Sequence, residues 1–291
     1  MTMPMTKGQG WLPDLPDARD YAVDSEEISE LWNTLGGEAA TAKNLPSDVD
    51  LREFFPPVYD QAGLNTSTIH ACVGLLQYFF VRAFGKTIFP SRMFLYQTAL
   101  RMSAAERGAG VSFRLLWKAI RNHGIPPEKY WPYSADMLTQ VPDSFLYSYA
   151  YTYRGIRYCR VDRWDASGEH TLNSVRSLLA AGFPVVFGFS TPSSISRDGD
   201  IPFRPLFDHV QGGHAVIAVG YDDNRRSLTR GYLQIRNSWG EDWGDGGYGW
   251  LPYAYVRKGL ARDFWTLLHP DWLASGEFAR PMFSEFRESQ S

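Results

Sequence analysis

Apolar residues in the first half of this 291-residue chain recur every three or four positions, and beyond about residue 150 they recur at every second one. That change of period constrains the fold more than any other feature. Between 67 and 84 the positions Ile69, Cys72, Val73, Leu76, Phe79, Phe80 and Ala83 make a helical stripe that ends at Gly85. A second helix is predicted after Pro90 with Ser91 as its cap. A third starts at Ser112, with Phe113, Leu116, Trp117 and Ile120 on one face, and stops at "NHGIPP". A later helical run, "TLNSVRSLLAAG", precedes "PVVFGFS", where Val185, Phe187 and Phe189 alternate. Then come "HAVIAVGYDD", "GYLQIRNSW", "GGYGWLPY" and "DFWTLLH", short runs separated by Gly and Asp turns. Helices first and an antiparallel sheet afterwards predict an α+β fold in two lobes. The helical lobe would take about 60–150 and the β-rich lobe about 151–268.

A hydrophobic fraction of 44% with ten tryptophans is that of a folded globular protein. Net charge is −3, so no global basic field argues for nucleic acid or an anionic membrane as partner. No apolar run approaches the ~20 residues that span a bilayer. The N-terminus lacks the apolar centre of a secretory signal, which gives a cytoplasmic expectation. Cys72 and Cys159 fall in apolar runs and read as small buried hydrophobes, for which a reducing compartment is the simpler setting. The acidic doublet Asp222-Asp223 reads as a solvated turn. With no zinc-spaced cluster and no phosphate loop, neither metal nor cofactor is expected.

Three segments hold groups with chemistry to offer. Ser67 heads the first helix, six residues after Gln61. A helix N-terminus presents unpaired N–H groups and partial positive charge, which favour an anion there. His214 stands in "QGGHAVIAVGYDD" at the start of a strand, and Asn237 ends the strand of "QIRNSWGEDWGDGGYGW". Taken singly, Ser67 is a helix cap, His214 a structural histidine, Asn237 a turn residue and Trp239 core packing. Asp208-His209 competes as the histidine segment, but the strand register favours His214. His70, one turn after Ser67, reads as a packing or supporting residue.

In this order the segments resemble the papain-like cysteine peptidases. "LPSDVDLREFFPPVYDQAGLNTSTIHA" is similar to the start of the mature enzyme and its nucleophile helix. "GGHAVIAVGYDD" resembles the catalytic-histidine strand and "IRNSWGEDWGDGGYGW" the asparagine segment, which is the most specific match. "GAGVSFRLLWKAIRNHGIPPEKYWPY" resembles the family's cleft glycine, helix and Pro-Tyr turn. The resemblance covers roughly residues 45–268. It implies a helical left lobe and an antiparallel β-barrel-like right lobe, with the active-site cleft between them. By position, Gln61 would donate to an oxyanion together with the backbone N–H of residue 67. His214 would be acid and base, and Asn237 would orient its imidazole under Trp239. Gly110, Val111, Gly213 and Trp239 would border the bound peptide. The family has a second glycine where this chain has Val111, so the side-chain pocket there is set differently.

The family's nucleophile is cysteine, and here it is Ser67. Cys72 lies about 140° around the helix from Ser67 and cannot take over; Cys159 lies outside every motif. A thiol beside histidine and a helix N-terminus can wait as thiolate, whereas a serine hydroxyl must lose its proton during attack. The chain as written is therefore expected to bind peptide or protein substrate with little or no turnover. Retention of Gln61, His214 and Asn237 favours a peptidase silenced by a Cys-to-Ser change at residue 67. The alternatives are a natural non-catalytic peptide binder, and an amidase or acyltransferase on the same fold. Residues 1–44 form an N-terminal extension, either a prosegment along the cleft or a strap over the back, with one helical candidate at 25–35. The tail, 269–291, carries Trp272, Phe278, Phe283 and Phe286 and is too aromatic for an idle linker.

Overall fold

A computed structural model describes residues 10–15, 17, 20, 22, 45–103, 108–150, 156–203, 208–227 and 229–278. The helical candidate at 25–35 and the tail residues Phe283 and Phe286 lie outside the described residues. The first half holds α1 (Ser67–Phe84), α2 (Arg92–Ser103), α3 (Phe113–His123) and the short α4 (Ser144–Tyr149). Local chemistry sets their ends. Ser91 Oγ accepts the N–H of Phe94 at 3.1 Å, and Ser112 caps α3 by accepting from Leu115. α1 stops where Gly85 enters the left-handed region at φ 61°. Ser67 does not cap α1; Thr66 occupies that position, without a side-chain cap bond, and Ser67 is the first helical residue. Its hydroxyl is thereby released for another partner.

The second half supplies an antiparallel sheet. Its strands are β1 (Asp48–Asp50), β2 (Arg157–Arg160), β3 (Val185–Pro192), β4 (Val210–Arg226), β5 (Arg230–Arg236), β6 (Tyr248–Pro252) and β7 (Ala261–Leu268). They pair in the order β2-β7-β3-β4-β5-β6, with β1 added on β4. The first residues of the domain thus cross over to the sheet before the helical lobe begins. α5 (Gly168–Ala180) and α6 (Tyr253–Arg257) accompany the sheet. Asp222 and Asp223 are not a turn. Both lie within β4, half-buried, and Asp223 accepts from Arg176 and from Tyr253 Oη.

α1 is buried almost throughout, because sheet and helices enclose it. It comes very close to the central strand: a Cβ built on Gly74 would fall 2.8 Å from Ile217 Cδ1. A methyl group there would have to push the end of the Ile217 side chain aside. On its other side α1 receives the tail. In α7 (Pro270–Ala274), Trp272 stacks on Phe79 with centroids 4.7 Å apart and planes 7° apart. Phe278 joins Phe79 and Phe183, and the Arg82 guanidinium lies 4.3 Å from its ring. The tail therefore belongs to the core as far as Phe278. Trp272→Ala should cost about 3–5 kcal/mol in urea unfolding, the usual cost of emptying a buried aromatic site. A loss below about 1 kcal/mol would mean that the stack contributes little.

Candidate active site

Ser67, His214, Asn237 and Gln61 come together between α1 and the sheet. The close packing of α1 on β4 brings Ser67 Oγ within 3.2 Å of the backbone N–H of Ala215, from which it accepts a hydrogen bond. His214 is the preceding residue on β4. Its Nε2–H donates to Asn237 Oδ1 at 2.7 Å, and the same oxygen accepts the Ser238 N–H at 2.8 Å. That places the histidine proton on Nε2 and leaves the lone pair on Nδ1. Nδ1 is buried and has no hydrogen-bond partner among the described residues. Trp239 covers the pair, its ring centroid 4.5 Å from that of His214, and Phe189 meets the imidazole edge-on at 5.9 Å. Gln61 accepts from Ser238 Oγ at 2.5 Å and donates from Nε2 to Leu64 O at 2.7 Å. Asn237 and Gln61 are thus coupled through Ser238.

The loop carrying Gln61 is held from behind by groups the motifs did not single out. Tyr133 Oη bonds Gln61 O at 3.0 Å and Thr66 Oγ1 at 2.6 Å. Arg92 must donate, so His70 Nε2 accepts at 3.1 Å and His70 Nδ1–H donates to Thr66 O at 2.9 Å. Arg92 is sandwiched between the rings of Tyr59 and Tyr133, at 3.9 and 4.4 Å, and pairs with Glu128. His70 is therefore a supporting residue. Both cysteines are buried and free. Burial pushes the Cys72 thiol well above its ordinary value and Cys159 up to about 12, which disqualifies either as a nucleophile.

Of the N-terminal extension, the described residues Gly10 and Trp11 run beside the segments that carry Ser67 and His214. Gly10 crosses the Asn65–Thr66 peptide so closely that a Cβ on it would fall 2.3 Å from Asn65 O. Gly10 O accepts the Val111 N–H at 2.9 Å, and Trp11 N–H donates to Gly213 O at 3.2 Å. Gly110, Val111 and Gly213 thus all meet this strap. Farther on, Asp14 accepts the backbone N–H of Arg114 in the first turn of α3, at 2.9 Å. Arg114 pairs with Asp14 and Asp20, and Arg160 with Asp20 and Asp162. With the strap in place Ser67, His214 and Gln61 are each 0% exposed. Two anchors were missed in the sequence, Trp11 and Asp263. A signal existed for Asp263, because an acid sits at an inward position of the apolar strand "ARDFWTLL".

Fold and site can be set beside known proteins. The sequence model of the papain family of cysteine proteases matches residues 46–259, and the chain belongs to that family. The crystal structure of xylellain, a cysteine protease from Xylella fastidiosa, is 30% identical and superposes with a TM-score of 0.75. That match covers 92% of this chain and 98% of xylellain. A peptidase C1-like protein of Acanthamoeba polyphaga mimivirus is 27% identical over 284 residues, 91% of this chain and 88% of its own length. Procathepsin L of Felis catus is 28% identical over 213 residues; the match covers 70% of this chain and 60% of that protein.

Burial drives both histidines down, His214 to about 4 against the opposing Asn237 bond, and His70 to about 3 with Arg92 adding to the effect. Both are neutral near pH 7. For His70, the unfolded chain takes up a proton below about 6.5 that the folded chain refuses until about 3. Stability from this source is therefore full above about 6.5 and is lost as pH falls. Asp263 works in the opposite sense, since burial raises it from 3.8 to about 7. The histidine effect is read by difference. Between about pH 6.5 and pH 4, a His70→Phe variant should lose stability less steeply than the parent, by up to about 1.4 kcal/mol per pH unit. Parallel urea-stability curves would show that His70 titrates normally.

Proposed function

We propose that the chain has the architecture of a papain-family thiol peptidase in which Ser67 stands at the attacking position. It binds peptide in the cleft and, as written, turns it over little or not at all. The carrying observation is the His214–Asn237 hydrogen bond of 2.7 Å beneath Trp239, with Nδ1 left without a partner among the described residues and Ser67 Oγ bonded to the N–H of the next residue, Ala215. With a cysteine at 67, its proton would pass to Nδ1 and the thiolate would attack the peptide carbonyl. The developing oxyanion would take a second Gln61 amide proton and the backbone N–H of residue 67. His214 would then protonate the leaving amine, and water would release the acid from the acyl-enzyme.

Serine breaks this sequence at its first step. A neutral imidazole with a depressed pKa is a weak base, and the Ser67 oxygen is engaged by the Ala215 N–H. Asn237 carries no charge to stabilise an imidazolium. Ser67→Cys should therefore gain labelling by a thiol-directed electrophile and hydrolysis of a fluorogenic peptide, several orders of magnitude above the parent. Both gains should vanish with His214→Ala. Ser67 itself favours a second reading, a non-catalytic peptide-binding member of the family. Peptide binding without turnover in the Ser67→Cys form would select it.

The strap that spans Gly10 to Asp20 acts in this reading as an inhibitor in place. It occupies the backbone positions of Val111 and Gly213 that a peptide would pair with. Removing residues 1–40 from a Ser67→Cys chain should raise its activity on the same peptide. Unchanged or lost activity would make the segment a structural brace.

A further inference from the structure

The peptide group that joins Thr66 to Ser67 points two ways. Ser67 is the first residue of α1, so its N–H has no acceptor within the helix. The peptide is planar and trans, and its carbonyl points opposite to that N–H. Whatever holds Thr66 O therefore sets the direction of the Ser67 N–H.

Thr66 O is held twice by one residue. The backbone N–H of His70 donates to it at 3.1 Å, as the helix requires, and the imidazole Nδ1–H donates to it at 2.9 Å. The second bond is not a requirement of the helix. His70 is 5% exposed, and its other nitrogen, Nε2, receives Arg92 Nη1 at 3.1 Å. A guanidinium can only donate and a carbonyl can only accept, so the imidazole is fixed with its proton on Nδ1 and its lone pair on Nε2. Burial and the charge of Arg92 both keep it neutral.

Arg92, the first residue of α2, is fixed in turn. Its Nε donates to Glu128 Oε2 at 3.0 Å, a second N–H pairs with Oε1, and the guanidinium lies between the rings of Tyr59 and Tyr133. Donors thus run head to tail from the Arg92 cation through the imidazole and the Thr66 carbonyl to the Ser67 N–H. A hydrogen bond to a carbonyl polarises its amide, so each link strengthens the next, by roughly 10–30% per bond.

We propose that His70 is a positioning residue of the oxyanion hole and that Arg92 acts through it. Together they aim the backbone N–H of residue 67 at the charge that develops on the substrate and make it a stronger donor. This rests on the reading of residue 67 as the attacking position. The Gln61 donor has its own support, Tyr133 Oη on Gln61 O. Any flat ring at position 70 would serve packing against Tyr133, whose ring meets the imidazole at 5.0 Å and 88°. Only a histidine joins a cation on one side to a carbonyl on the other.

Two reactions of one thiol separate positioning from structural support in the Ser67→Cys chain. Hydrolysis of a fluorogenic peptide develops an oxyanion, whereas labelling by methyl methanethiosulfonate, which has no carbonyl, develops none. His70→Phe keeps a flat ring and removes both hydrogen bonds of the imidazole. It should lower kcat at least about tenfold with KM within about twofold, while the labelling rate changes less than about twofold. His70→Asn, whose amide N–H can stand where Nδ1–H stood, should recover most of the loss. Hydrolysis and labelling that fall together, or a His70→Asn no better than His70→Phe, overturns the proposal.

Should the substituted chains fail to fold, the unaltered Ser67 chain still decides. With 15N-labelled histidine, its imidazole spectrum should show opposite tautomers, His70 protonated on Nδ1 and His214 on Nε2. A proton on Nε2 of His70 breaks the series of donors and refutes the assignment. No hydrolysis at all by Ser67→Cys would sink the peptidase reading and this proposal with it. Hydrolysis that His70→Phe leaves unchanged would sink this proposal alone.

Discussion

The close contact between α1 and β4 is the constraint on which the site depends. Gly74 lets the helix approach Ile217 with no side chain between them. About two turns before that contact, Ser67 Oγ reaches the Ala215 N–H. The helix carries Ser67 and the strand carries the imidazole of His214. Their relative placement is therefore set by packing in the core and not by the flexibility of a loop. Arg236, at the end of β5 just before Asn237, strengthens the arrangement from below. Its guanidinium is buried and donates to Pro56 O, Pro57 O and Tyr248 Oη, which ties the segment before Gln61 to the strand that leads into Asn237.

Within this frame the polar groups are layered. His214 and Asn237 meet under aromatic rings, where exclusion of water strengthens their hydrogen bond. The Gln61 loop is clamped by Tyr133 and by the His70–Arg92–Glu128 chain. Ala62 in that loop has φ 53°, a strained value for a residue with a side chain, and Asp60 Oδ1 holds its N–H at 2.7 Å. A loop held this firmly keeps its backbone N–H groups and the Gln61 amide aimed at one place, which is what charge stabilisation without reorganisation requires.

The strap occupies the cleft through three kinds of contact. Gly10 and Trp11 use the backbone partners Val111 and Gly213, the indole uses a slot between glycines, and Asp14 and Asp20 use Arg114 and Arg160. The ionic part lies at the rim and is largely buried, with Arg114 12% and Asp20 9% exposed. Charged pairs of this kind are expensive to break one partner at a time, and they release together when the segment departs.

Much of this was legible in the sequence. The three-and-four spacing from Ile69 to Ala83, the caps at Ser91 and Ser112, and the alternation at Val185, Phe187 and Phe189 each report a local requirement of backbone geometry and solvent. Gln61, Ser67, His214 and Asn237 could be named because the order and spacing of their segments leave little room to slide. The acidic doublet at 222–223 misled because its neighbours looked like a turn, whereas Arg176 and Tyr253 reach it from other elements. Ser67 looked like a cap because capping is what serine does when only its own helix is considered.

Sequence by itself determined the periods, the helix ends and which polar groups are candidates for the site, since these are read from residues a few positions apart. Only the tertiary structure decided that Trp11 lies over Gly188 and Gly213, that a bulge turns Asp263 toward it, and that Gly10 lies against the Asn65–Thr66 peptide. Those outcomes join residues as far as 252 positions apart, and no local preference encodes a meeting that close packing alone enforces.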